Sequence, residues 1–211
     1  SAVGIWLGFT RSCDVSNNRI HDLPYSGISI GSQWNDEPSS AANNRIEANY
    51  IFDVMQELGD GGAIYTLGCQ PLTVLRDNHI HSVRRSELNA AAPNNGFFFD
   101  EGSKGYLVEG NIVYDTAFSP LRGHRAKGVI IRDNVLVHGR REPVVYYSPP
   151  YDWPLTLKGN GILRDDGETL MTLEDNEIFD ERGWRRVSRE RIGQARKTAG
   201  LQREFRKLLM E

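Results

Sequence analysis

The chain has 211 residues, 39% hydrophobic and 25% charged, with 21 glycines and a net charge of −3. That length allows one domain with a sizeable core plus an appendage, and the glycine-rich, Asn- and Asp-rich composition favours a turn-rich β protein over a helical bundle. No stretch approaches the ~18 apolar residues of a membrane span, no basic-then-apolar leader is present, and Cys13 and Cys69 alone exclude a disulfide framework, leaving two buried thiols as the expectation.

The first element is a strand in VGIWLGF (3–9), so the chain opens inside structure and further coils are expected to precede it. From there six segments align on an asparagine: VSNNRIHD, IEANYIFD, LRDNHIHS, VEGNIVYD, IRDNVLVH and LEDNEIFD. Their asparagines are Asn18, Asn49, Asn78, Asn111, Asn134 and Asn176, spaced 31, 29, 33, 23 and 42 apart. Three residues before each stands Val15, Ile46, Leu75, Val108, Ile131 or Leu173; two after stands Ile20, Ile51, Ile80, Val113, Leu136 or Ile178. Two always-aliphatic columns with a polar residue between are the mark of stacked repeats that cover one another's apolar faces. The 23-residue interval fits one coil of a parallel β-helix, and the longer ones read as coils with inserted loops. Asparagine at a repeated corner suits both a left-handed bend and a ladder of stacked amides. Neither a leucine-rich consensus nor the ~40–50-residue period of propeller blades is present. The expected fold is all-β, a right-handed parallel β-helix (a solenoid) over residues 1–180 in about six coils.

A second strand follows each asparagine: SGISIG (26–31), GGAIYTLG (61–68), NGFFFDEG (95–102), SPLRGHR (119–125) and EPVVYYS (142–148). It begins 9 residues on at Gly27, Pro120 and Pro143, but 13 on at Gly62 and 18 on at Gly96. The two lengthened coils are those with DGG and DEG, and insertions on one edge of a repeat stack build binding faces. Excursions also follow the strand at 32–43, with Trp34, and at 149–167, with Tyr151 and Trp153. Residues 181–211 carry ten Lys/Arg against four Asp/Glu, whereas 1–180 carry fifteen against twenty-four, or −9. The acidic body is the expected partner of this basic tail and argues against nucleic acid. Leu201, Phe205, Leu208 and Leu209 give the tail an amphipathic helical stripe, predicting a short α-helical cap over the last coil; the open first coil could pair with another copy of the chain.

Asp22, Asp53, Asp115 and Asp180, each four after the ladder Asn, are explained by turn capping, and His21 and His81 by an aromatic-sized column with Phe52, Tyr114 and Phe179. His79 and His81 are spaced like two strand ligands, but no Cys/His cluster completes a zinc site, so no metal is expected. What the scaffold does not explain is Asp60, Asp100, Glu101, Arg122, His124 and the aromatic residues Tyr65, Tyr147, Trp34 and Trp153. With Phe97 and Phe99 inward, alternation turns Asp100 outward and gathers Arg122, His124 and Tyr147 on its face. Carboxylates beside aromatic faces are what glycosidic chemistry needs. Asp60 precedes its strand and Asp100 nearly ends one, about five residues or ~16 Å apart along the strands.

The run DGGAIYTLG, LRDNHIHSV, FFFDEGSKGYLVEGNIVYDT and HRAKGVIIRDN resembles bacterial right-handed parallel β-helix glycoside hydrolases, nearest to glycoside hydrolase family 141, over residues 15–138. That resemblance implies activity on plant or bacterial polysaccharide, in the manner of the family's α-L-fucosidases and xylanases, without a cofactor. It implies Asp60 and Asp100 as the catalytic pair and a secreted or periplasmic setting. The strand register keeps Glu101 as the fallback partner, and Arg122 and His124 are expected to hold substrate hydroxyls or tune the acid's pKa. Two further readings use the same residues. A polysaccharide lyase or uronate epimerase would use Arg122, Arg125 and His124, with Ca²⁺ as an added cation. A non-catalytic glycan-binding or structural β-helix would need none of the chemistry.

Overall fold

The computed structural model describes residues 3–87, 93–148, 155–164 and 166–201. The chain winds through three sheets in fixed order, giving one strand to each per coil. The first sheet stacks Ile5–Leu7, Ile28–Ile30, Gly61–Thr66, Asn94–Phe99, Leu121–Gly123 and Val145–Tyr147, all parallel. The second stacks Asp14–Ser16, Arg45–Glu47, Cys69–Arg76, Lys104–Glu109, Val129–Arg132 and Thr169–Glu174. An antiparallel pair, Leu155–Lys158 and Gly161–Arg164, extends the far edge of that sheet and accounts for the long last interval. The third sheet runs Arg19–Ile20, Tyr50–Val54, His79–Val83, Ile112–Val113, Val135–His138 and Glu177–Asp180.

Both aliphatic columns are in register. Val15, Ile46, Leu75, Val108, Ile131 and Leu173 pair coil to coil in the second sheet. Ile20, Ile51, Ile80, Val113, Leu136 and Ile178 do so in the third. Except for Ile178, their side chains meet Ile28, Ile30, Ile64, Phe97 and Phe99 of the first sheet in one continuous core.

The six asparagines stack between the second and third sheets. Each side-chain amide donates to the next side-chain oxygen at 2.9 or 3.0 Å, from Asn18 through to Asn176. The left-handed bend does not fall on them, as expected from sequence, but on the residue before: Asn17, Ala48, Asp77, Gly110, Asp133 and Asp175 all have φ between 49° and 67°. The ladder residue keeps ordinary backbone angles and satisfies the corner's backbone groups with its side chain. Asp22, Asp53 and Asp115 take φ of 55°, 48° and 51°, in keeping with their turn assignment, and Asp180 caps a helix by accepting from the Gly183 N–H at 2.6 Å.

That helix, Glu181–Thr198, corrects the expected cap in position and in extent. Trp184 packs on Tyr114 and Phe179, ring centroids 5.0 and 6.1 Å away. Beyond the helix, the Gly200 N–H donates to the Ala48 carbonyl at 2.7 Å and Asn17 donates to the Gly200 carbonyl at 3.3 Å. Eighteen residues at ~1.5 Å span ~27 Å, close to the ~24 Å of five coil spacings. The helix therefore runs down the third sheet from the last coil to the first two, along the flank and not over the end. At the end itself Ile178 is exposed, and Val145, Ile162 and Leu173 line an open cavity of about 450 Å³. Leu201 lies past the helix, and Phe205, Leu208 and Leu209 fall outside the described residues.

Of two smaller expectations, one is met in part and one is corrected. Arg191 pairs with Glu177 of the body, but Arg182, Arg185, Arg186 and Arg189 turn to solvent and have no ion-pair partner among the described residues. Cys13 and Cys69 are free and half-buried instead of buried.

Candidate functional site on the first sheet

Alternation along Asn94–Phe99 sends Phe97 and Phe99 into the core and Phe98 to the outer face. Coil register then lines up Tyr65, Phe98, Arg122 and Tyr146 as one outward row. Asp100 follows Phe99 directly, and His124 lies alongside, its N–H bonded to the Phe99 carbonyl at 2.8 Å.

Asp100 is only 8% exposed, and the Tyr65 hydroxyl donates to its Oδ2 at 2.6 Å. Burial raises its pKa above the ordinary aspartate value; the Tyr65 bond, the Glu101 backbone N–H and the nearby His124 pull it back, and the charge of Asp60 adds to the rise. Burial and the bond to Asp100 raise the Tyr65 pKa well above that of a free phenol, so this hydroxyl stays protonated and donating.

Asp60 stands just ahead of Gly61–Thr66 at φ 60°, with its side chain 62% exposed. The Tyr25 hydroxyl donates to its carbonyl at 2.9 Å, which holds the turn. Its carboxylate meets Arg122 at 2.9 Å. The Arg122 guanidinium, 11% exposed as a side chain, lies 3.8 Å over the Phe98 ring and 5.9 Å from that of Tyr146. Thr66 pairs with Phe99, so Leu67 is level with Asp100 and Asp60 sits seven residues upstream, ~23 Å along the strand. This is further than the expected five residues. The two acids share a face and each other's field, but the Arg122–Phe98–Tyr65 row separates them and Arg122 is the direct partner of Asp60.

Glu101 turns to the other side of Asp100. Its oxygens take Arg125 at 2.9 and 3.0 Å, and His124 Nε2 lies 3.4 Å from one of them. His124 Nδ1 faces the Ser148 carbonyl, an acceptor, so that nitrogen carries the proton. His79 and His81, by contrast, belong to an aromatic column under the helix, with His21, Phe52, His81 and Tyr114 in successive coils stacked at 4.7, 5.4 and 5.0 Å.

Tyr147 does not join this face. It pairs with Gly123, packs toward the core, and donates its hydroxyl to the Ala126 carbonyl at 2.8 Å. The segment before this strand is one residue longer than an alignment of Pro120 with Pro143 assumes, because Leu121 pairs with Val145. Tyr146 takes the outward place instead, set edge-on to Phe118 at 5.2 Å. The alternation in VVYY could have shown this once the slip was known; nothing in the sequence marks Tyr25, which comes from the connection ahead of the strand. Trp34 lies in the loop after Ile28–Ile30 and is 69% exposed, while Trp153 falls outside the described residues.

A family model described as right handed beta helix region matches residues 1–183. A solved structure described as a glycoside hydrolase shares the fold with a TM-score of 0.58 at 20% identity, over 96% of this chain and 25% of that one. The chain thus spans about a quarter of that protein's length. None of the curated proteins matches it. With three stacked sheets, an asparagine ladder and a family match over most of its length, the chain belongs to the right-handed β-helix family.

Proposed function

We propose that the protein acts on carbohydrate, hydrolysing glycosidic bonds of an oligo- or polysaccharide laid on the outer face of the first sheet. The observation that carries this reading is Asp100: a buried carboxyl, held by Tyr65, whose raised pKa keeps its proton further toward neutrality than a free aspartate. Such a carboxyl suits the general acid that protonates a departing glycosidic oxygen. Asp60, exposed and oriented by Arg122, is the candidate for the second carboxylate, accepting a proton from the attacking water as its oxygen adds to the anomeric carbon. With ~23 Å of strand between the two backbones, this role requires the side chains to lean together to the ~6.5–9.5 Å of an inverting pair. Tyr65 serves as the donor that orients Asp100, its own pKa being shifted the wrong way for a nucleophile. Glu101, paired with Arg125 and facing His124, positions that histidine beside Asp100. Arg122 and the Tyr146 ring supply the polar and apolar contacts a sugar ring takes.

A lyase or epimerase must use cations to neutralise a uronate carboxylate. Here Arg122 is already engaged with Asp60 and Arg125 with Glu101, so a uronate would have to displace an existing pair. The deciding experiment compares wild type with Asp100→Asn on a panel of neutral and uronate-containing polysaccharides, reading reducing ends and ultraviolet absorbance. Reducing ends from wild type but not from the variant support hydrolysis. Absorbance from a new double bond selects the lyase, and no product from any substrate favours a non-catalytic protein.

A further inference from the structure

The loop after Ile28–Ile30 is held in place far more firmly than a solvent loop requires. It leaves the second coil and lies across the next two, reaching residues up to 91 positions away. The Gln33 carbonyl sits where a side chain on Gly68 would be, 2.9 Å from that Cβ position, and the Asn35 backbone comes within 2.1 Å of the corresponding position on Gly102. Both glycines have φ of 72°, so any other residue would be strained there as well as blocked. The Asn35 side-chain oxygen accepts from the Gln33 side chain at 2.5 Å and from the Glu37 N–H at 3.0 Å. Asp36 then ties the loop down through Lys127 at 3.1 Å and Lys104 at 3.8 Å.

Between those two clamped neighbours stands Trp34, with 69% of its surface in water. A tether of this kind fixes the backbone from which the indole projects and leaves the ring exposed. The clamp at Gly102 lies two residues beyond Asp100, on the Glu101 side of the face. Asn35 and Glu37 beside it are exposed polar residues, so hydrogen-bonding groups edge the indole, while Pro38 and, where the loop returns past Ser40, Phe9 add further exposed apolar surface. A sugar ring, with one apolar face and hydroxyls round its edge, fits this surface. Lys104 and Lys127 are both engaged with Asp36, which leaves no unpaired lysine at this loop for an acidic sugar.

We infer that Trp34 is a fixed stacking platform for a neutral sugar residue, gripping an oligosaccharide that extends past the unit bound at Asp100. The inference rests on the hydrolase reading for its placement, and it makes Lys127 a positioning residue acting through Asp36.

The test is calorimetric binding of xylohexaose, cellohexaose, mannohexaose and hexagalacturonate to the full chain carrying Asp100→Asn, so that nothing is consumed. Adding Trp34→Ala should weaken binding of at least one neutral hexasaccharide about tenfold, the size of one good aromatic contact. Trp34→Phe should restore most of the loss. Lys127→Met should weaken binding severalfold although the indole is intact, and Lys127→Arg should recover it; a merely structural lysine would shift the melting temperature and leave the affinity alone. Equal affinity with and without the indole for every neutral sugar overturns the proposal, as does a Trp34-dependent preference for hexagalacturonate. If Asp100→Asn still cleaves the sugars, the hydrolase assignment fails while a Trp34-dependent affinity stands. If turnover is lost but Trp34→Ala binds normally, the platform fails alone.

Discussion

Replacing Asn111 by alanine tests how the coils are held together. Its side-chain oxygen accepts from the Asn78 backbone N–H at 2.9 Å and from the Asn78 amide at 3.0 Å, and its own amide donates to the Leu75 carbonyl at 2.9 Å and to Asn134 at 2.9 Å. The alanine keeps only the backbone N–H that reaches Asn134. Three polar groups lose their partner: the Asn78 N–H, one Asn78 amide hydrogen and the Leu75 carbonyl. Asn78 and Leu75 are both buried. Each stranded group costs ~1–3 kcal/mol, so a loss of about 4 kcal/mol is expected even after relaxation. That is a large share of the ~5–15 kcal/mol that holds a domain folded. Asn18→Ala at the first rung is the internal control. Asn18 donates to Asn49 and to the Ser16 carbonyl, and the Asn49 oxygen keeps the Asn18 backbone N–H, so only ~1 kcal/mol should go. Urea titrations followed by circular dichroism give both values as midpoint shifts at constant slope. Equal losses at the two rungs, or a loss below ~1.5 kcal/mol at Asn111, would refute the ladder as the main tie between coils.

Acid should loosen the flank before the core. Burial lowers His79 to about 3 and His81 to about 4, from 6.5, so the stability they confer is complete above 6.5 and lost as pH falls through 4 and then 3; His81→Phe, which keeps the stack, should melt higher than wild type near pH 4. Asp100 has the opposite sign: with its folded pKa raised, its contribution is lost as pH climbs past that value, so Asp100→Asn should raise the melting temperature at pH 7 even as turnover disappears. Tyr147→Phe should cost ~1 kcal/mol for the lost bond to Ala126 and leave sugar affinity unchanged, whereas Tyr146→Ala should weaken sugar binding with little loss of stability; the reverse pattern in calorimetry would restore Tyr147 to the face. Trp184→Ala removes the ring wedged between Tyr114 and Phe179 and should cost ~3 kcal/mol or more by thermal melting.

The repeat was legible because its signal is physical and redundant. An aliphatic side chain three before and two after each ladder asparagine is aimed at the core, and all but Ile178 of the sixth coil reach it. Asp100 was legible for the same reason, since alternation from Phe97 and Phe99 leaves it no inward position. Insertions break that logic. One extra residue ahead of Val145 exchanges Tyr146 for Tyr147, because a slip of one in a strand reverses every side chain. The partner of Asp60 was hidden as well: Arg122 is 62 residues away and meets it only through coil stacking. The position of the helix could not be read from its own stripe, because what fixes it is Trp184 on Tyr114 and the Gly200–Ala48 bond, neither of which belongs to a repeating column.

A row of identical modules ordinarily unravels from its two termini, where each outermost module has a single neighbour. Here the sixth coil is fastened to the first two, since the segment from Asp180 to Gly200 reaches Asn17 and Ala48. Opening any coil within that span means first lifting the whole segment from the wall beneath it. Denaturation should then proceed as one event across the coils so bridged, giving a repeat architecture the cooperativity of a closed ring.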